Sequence, residues 1–248
     1  MDIITVIIVA AIIGFCAGTI SGLLGVGGGL IMIPLMIAFL AIDFQKATTV
    51  SLFTILFVSI FGSIEHFRKG HVDKRMGVIL GITGSVGAII GSYLNTRTDA
   101  WILEILFAVM LFISAYRFFT KEQEKRIENK WALPFIGLGG GFIAGLLGLG
   151  GGIVMVQGMV YIGIPIHMAV GTSLFAMIFN ATAAVATHWL LGPLMIEVAI
   201  PMAIGGVLGT FGGSWFCDRV PAKQLKRIFG VFMIFIGIYM IAKALGLF

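Results

Sequence analysis

From residue 3 to residue 24 the chain carries no formal charge, and nine further apolar runs follow at 30–42, 50–66, 76–94, 102–119, 131–147, 153–164, 169–191, 194–216 and 228–247. About 20 apolar residues are enough to cross the hydrocarbon of a bilayer as helix, where lipid offers no partner to an unpaired backbone group. Charged residues make up 11% of the chain and hydrophobic ones 59%, whereas an average soluble domain is roughly 25% charged. That is too little polar material to cover a water-facing surface. The sequence therefore reads as an all-α polytopic membrane protein whose first partner is the lipid bilayer.

The net charge of +5 does not point to nucleic acid, because the Lys and Arg residues fall in short runs between apolar stretches, the pattern of positive-inside topology. Asp2 stands where a secretory leader has its basic region, and the apolar run continues past residue 20, so the first segment is expected to remain. Cys16 and Cys217, each in or beside an apolar run, support neither a disulfide framework nor a cysteine metal site. Packing is their expected role. The stretch 121–130 (KEQEKRIENK) is dense in charge and reads as a solvated linker over 120–130, joining membrane halves at 1–119 and 131–248.

The halves resemble each other. Residues 23–29 (LLGVGGG) match 146–152 (LLGLGGG) at a shift of 123, and after a one-residue deletion Ser51, His66, Gly87, Gly91 and Arg97 fall on Ser173, His188, Gly209, Gly213 and Arg219 at a shift of 122. The loop charges swap between copies: Arg68, Lys69, Lys74 and Arg75 follow His66, while the equivalent stretch after His188 has neither Lys nor Arg. Conversely, Arg97 stands alone where the second copy has Arg219, Lys223, Lys226 and Arg227. The positive-inside rule then places equivalent loops on opposite sides, which predicts two inverted repeats and a cytoplasmic linker. Each repeat is expected to hold three transmembrane helices and a helical hairpin or re-entrant element, because the runs 30–42 and 153–164 are too short to cross and each follows a glycine cluster.

Those clusters hold the candidate site. Gly27, Gly28 and Gly29, with Gly150, Gly151 and Gly152, permit left-handed backbone and close approach of a ligand, and a helix beginning just after them presents free amides to an anion. The scattered pairs Gly87/Gly91 and Gly209/Gly213 read instead as close helix packing. Neither cluster completes a dinucleotide fingerprint or a P-loop, so no nucleotide cofactor is expected. Thr49 and Ser51, with Thr172 and Ser173, are expected to begin the helices after the short segments and to act either as anion donors or as ordinary caps. Gln157 and Asn180 lie deeper and serve as substrate contacts or as interhelical hydrogen-bonding groups. His66 and His188, with Glu65 beside the first, are proton-coupling candidates, though both lie at segment ends, where interfacial packing or hydrogen bonding is the favoured role. The membrane segments hold too few carboxylates for a metal site, and no catalytic residues are assigned.

With LLGVGGG, LLGLGGG, the stretch ATTVSL at 47–52 and its counterpart AVGTSL at 169–174, and two short halves joined by a charged loop, the chain resembles the TauE/SafE family of sulfite exporters and sulfonate permeases over nearly its whole length. The resemblance implies a secondary carrier for a small sulfur-containing anion, with a possible coupling proton or other ion, in a bacterial or archaeal plasma membrane. An anion channel and a membrane-embedded enzyme are the competing readings. The enzyme lacks a G-x-S-x-G elbow and an H-E-x-x-H motif.

Overall fold

The computed structural model describes residues 2–25, 27–119, 130–192, 194–216 and 222–246. All regular structure among them is helical: α1 (Ile3–Leu24), α2 (Gly29–Leu40), α3 (Phe44–Arg68), α4 (Lys74–Arg97), α5 (Ala100–Phe119), a 3-10 turn at Lys130–Ala132, α6 (Leu133–Leu147), α7 (Gly152–Tyr161), α8 (Ile166–Leu191), α9 (Ile196–Phe216) and α10 (Ala222–Ala244). Most of the linker, together with Cys217 and Arg219, lies outside the described residues.

Five helices, α1, α3, α4, α8 and α9, are long and apolar enough to cross a membrane. α2 and α7, at 12 and 10 residues, are not. The outward faces are apolar, with Ile4, Ile8 and Ile12 on α1 and Ile200, Ile204 and Leu208 on α9 all exposed. Lipid covers such a surface at no cost, whereas water would not. Cys16 also lies on the exposed side of α1 rather than in the packed interior expected for it. The chain is an integral membrane protein.

Burial sorts the helices into a centre and a rim. Two-thirds of the apolar window of α3 and of α8 is buried (67% each), against 28% for α1, so α3 and α8 form the inner pair. Around them α1 packs on α9, α4 on α6 and α5 on α10. The first two pairings use glycine in the same way. A methyl on Gly14 or Gly18 of α1 would strike the backbone of Met202 or Gly206 on α9, and one on Gly137 or Gly141 of α6 would strike Leu80 or Gly84 on α4. The partners answer in kind: Gly209 and Gly213 sit on the backbone of Phe15 and Thr19, and Gly87 and Gly91 on that of Leu138 and Phe142. Small residues let backbones approach where no hydrophobic force between helices exists. Each contact in one pair has a counterpart in the other at the sequence shifts of 123 and 122.

α5 and α10 are joined differently. Glu104 of α5 is buried, and Lys243 of α10 reaches its carboxylate at 3.2 Å, which neutralises a charge that lipid would not tolerate.

Candidate functional site

Two chain reversals meet in the interior. Gly25 ends α1 with φ 67°, its N–H bonded to the Ser21 carbonyl, and Gly28 caps the start of α2 with φ 73°. Gly148 ends α6 with φ 71° and Gly151 caps α7 with φ 76°. Gly27 and Gly150 lie between, also left-handed, a backbone that only glycine adopts without strain. Each reversal is tight. A Cβ on Gly28 would come 2.9 Å from the Ala17 carbonyl oxygen of α1, and one on Gly151 would run into the Gly140 carbonyl of α6. Each short helix thus returns along the helix before it, as the expected hairpin does.

The two tips touch. A methyl on Gly29 would collide with the Gly148 carbonyl oxygen and come 3.0 Å from the Leu149 Cα, and Met177 of α8 packs its methyl group against both Gly27 and Gly150. Serine hydroxyls tie the junction crosswise. Ser51 of α3 donates to the Gly148 carbonyl at 2.9 Å, while Ser173 of α8 donates to the Gly25 carbonyl at 3.2 Å, sharing that proton with its own helix at Val170. Each inner helix therefore grips the tip that belongs to the other half of the chain. The beginnings of α2 and α7 bring the positive ends of two helix dipoles to this junction, and neither Lys nor Arg occurs in 23–42 or 148–191. With both serine protons committed to carbonyls, what remains at the junction is the backbone amides at the starts of α2 and α7 and no cation.

The remaining predicted residues divide. Asn180 stays near the tips, one helical turn beyond Met177 and fully buried; its Nδ2 contacts the Met155 sulfur of α7 at 3.7 Å, and its Oδ1 has no partner. Gln157 does not reach them. It lines a cavity of about 540 Å³ between α5, α6 and α7, together with Ser114 and Tyr161. Thr49 and Thr172 are displaced from helix starts, because the connections after α2 and α7 are short and α3 and α8 begin earlier, at Phe44 and Ile166. Their amides, like those of Ser51 and Ser173, belong to the helix interior, so neither capping nor N-terminal anion binding is their role. Thr49 lies 3.3 Å from the His188 Nδ1 and bonds back to the Gln45 carbonyl, while Thr172 accepts the Asp73 N–H at 3.0 Å. His188 is buried, with Nε2 facing the Gly145 carbonyl at 3.4 Å. His66 is half-buried and Glu65 faces Arg68 at 3.9 Å.

Sequence reasoning missed Asn95. It is fully buried on α4, its Nδ2 donates to the Leu146 carbonyl at 2.7 Å, and Gln45 spans its backbone carbonyl and that of Thr98. It sits one residue past an apolar run, a position that gave no signal. Met177 lies inside the apolar run 169–191, where a methionine gives no signal of its own.

The sulfite exporter TauE/SafE family profile matches residues 10–240. The chain belongs to the TauE/SafE family. Relatives within reach include proteins named as probable membrane transporters. One, YdhB of Bacillus subtilis, is 26% identical over 222 residues, covering 86% of this chain and 91% of the relative. A second from that organism, YunE, is 22% identical with 96% and 98% covered, and one from Methanocaldococcus jannaschii is 26% identical with 93% of each covered. Family and relatives mark this TauE/SafE protein as a membrane transporter.

The crosswise serines give a measurable expectation. Ser51→Ala and Ser173→Ala each remove one neutral hydrogen bond between an inner helix and the opposite tip, about 1 kcal/mol of net stability and somewhat more where the carbonyl is left buried and unpaired. Thermal denaturation in detergent should show a small loss for each variant and a larger one for the pair. A pair that melts like the parent would mean that the hydroxyls do not hold the tips.

Proposed function

We propose that this TauE/SafE protein is a secondary transporter of a small sulfur-containing oxyanion, such as sulfite, sulfoacetate or another organosulfonate. The glycine tips form its substrate site. What carries the reading is the crosswise junction itself: two short helices, each returning from a glycine tip, whose N-terminal ends meet in the protein interior with backbone amides as donors and without a cation. Secondary transporters place anionic groups at such half-helix ends. A site built from fixed dipoles also releases its anion more readily than a buried Lys or Arg would, and release is half of a transport cycle. Alternation follows from the inverted relation of the halves, with the inner helices α3 and α8 moving one tip relative to the other.

Two measurements test this. In proteoliposomes preloaded with unlabelled sulfite or sulfoacetate, labelled anion should accumulate by counterflow, and an uncharged analogue of similar size should not compete. Conduction without exchange would replace the carrier by a channel, and covalent change of the anion would replace it by an enzyme. For the topology, single cysteines at Lys69 and Lys223, in a background lacking Cys16 and Cys217, should both react only with a reagent added on the cytoplasmic side. Labelling from opposite sides would remove the inverted arrangement.

A further inference from the structure

The two equivalent histidines are built into different surroundings. On one side, His188 meets the Thr49 hydroxyl at Nδ1 and the Gly145 carbonyl at Nε2. At the other, the residue standing where Thr49 would be is Gly171. His66 keeps the equivalent backbone neighbour, Gly22, but has no hydroxyl, and its Nδ1 is buried without a partner. The room left by the missing side chain is taken by the loop between α3 and α4. A methyl on Gly171 would strike the His71 carbonyl oxygen and come 3.0 Å from the His66 Cβ.

That loop brings a second and a third imidazole. The ring of His71 lies 6.0 Å from that of His66 and 5.5 Å from that of His167, in the first turn of α8. Two residues on, the Asp73 N–H donates to the Thr172 hydroxyl, while the Asp73 side chain caps α4 through the Met76 N–H. The cluster therefore joins α3, the loop and α8 at Thr172, the residue before the tip-gripping Ser173.

We propose that His66, His71 and His167 form a proton-binding site of this transporter, and that protonation releases the 71–73 loop from α8, freeing the Thr172 hydroxyl. His188 is a structural clamp with no such role. The coupling to transport rests on the carrier reading above. The unpartnered Nδ1 of His66 is a buried acceptor beside the other two rings, able to take a hydrogen bond from a charged neighbour, and imidazole is the side chain that changes charge between about pH 5 and 8. Once charged, His71 and His167 repel across the contact, and His167 also opposes the positive end of the α8 dipole. Among the described residues, the charged groups flanking the cluster are Glu65 and Arg68 on α3, Lys69, Asp73 and then Lys74 and Arg75 at the start of α4, while α9, whose Phe211 packs on Phe61 of α3, carries only Glu197 in its first turn. α1 contributes no charge, and α8 has no Asp, Glu, Lys or Arg. With four cations against two carboxylates, and the Asp73 carboxylate held at its cap, added protons find little to neutralise them.

Hydrogen exchange of the protein in lipid nanodiscs tests this without any substrate. After correction for intrinsic exchange rates, protection of the 71–73 amides should fall about tenfold between about pH 8 and about pH 5.5. His71→Gln and His167→Gln should each flatten that change, while His188→Gln should retain it even if it lowers overall stability. Protection independent of pH, or a pH response that survives in the His71→Gln/His167→Gln double variant, would overturn the proposal. Sulfite and sulfoacetate uptake into proteoliposomes with an imposed pH gradient then tests the coupling. Uptake that the gradient drives in the parent but not in His167→Gln supports it, and gradient-driven uptake equal in both overturns it. If neither anion is carried, the substrate reading fails while the exchange result still decides the histidine site.

Discussion

Valine at Gly28 or at Gly151 should reduce anion uptake to that of empty vesicles, while the protein still reaches the membrane. Both residues have left-handed backbone, φ 73° and 76°, where an L side chain costs about 1–2 kcal/mol and a β-branched one is a real outlier. Both also face backbone: Gly28 the Ala17 carbonyl, Gly151 the Gly140 carbonyl. Backbone within a packed helix cannot rotate away as a side chain does. The tip must move outward, and the amides at the starts of α2 and α7 move with it. Membrane fractionation establishes insertion and vesicle uptake establishes the loss. Gly139, which has nothing within 4 Å of an added Cβ, supplies the control, since Gly139→Val should transport normally. Normal uptake in Gly28→Val and Gly151→Val would relegate the tips to plain packing.

The second large effect is on stability. A Cβ on Gly141 would run into the Gly84 carbonyl, and one on its counterpart Gly18 into that of Gly206. Valine at either forces α6 from α4, or α1 from α9, along the interface where several other glycines hold the same close approach. Overpacking against immovable backbone belongs at the upper end of the usual range, about 3 kcal/mol, which for a chain of this size lowers the melting temperature by roughly 6–12 °C. Scanning calorimetry or a fluorescence melt of the purified protein would measure it. Gly212→Val, on α9 but facing open space, should shift the melt by less than about 2 °C. Equal losses in all three variants would mean that helix propensity, and not the interface, sets the effect.

The membrane class, the helical architecture and the two reversals were fixed by composition and local chemistry. An apolar run without charge has one stable form in lipid, and four glycines in five positions end a helix wherever they occur. The two glycine clusters as the turning points were therefore legible, as was the packing role of Gly87, Gly91, Gly209 and Gly213, which recur at helical spacing, while which glycine in each cluster ends one helix and caps the next was not. The hydroxyls were harder. Thr49, Ser51, Thr172 and Ser173 looked like helix starts because they follow the short segments, but where a helix begins depends on how few residues its connection needs, and that is set by the distance between already packed neighbours. Which way each hydroxyl points was likewise beyond local reasoning. Ser51 and Ser173 reach the opposite tip, Thr49 turns to His188 and Thr172 to Asp73, although all four stand within similar stretches. Gln157 was drawn to the site by its polarity and placed by the fold in a side cavity. His71 and His167 are nearly a hundred residues apart in sequence, and neither has a histidine counterpart in the other half. Only the packing of the α3–α4 loop into the space vacated at Gly171 puts their rings side by side. Sequence determines what each segment does to its own backbone. The meeting of distant side chains is decided by how the helices pack, because a contact between two segments is a property of neither one alone.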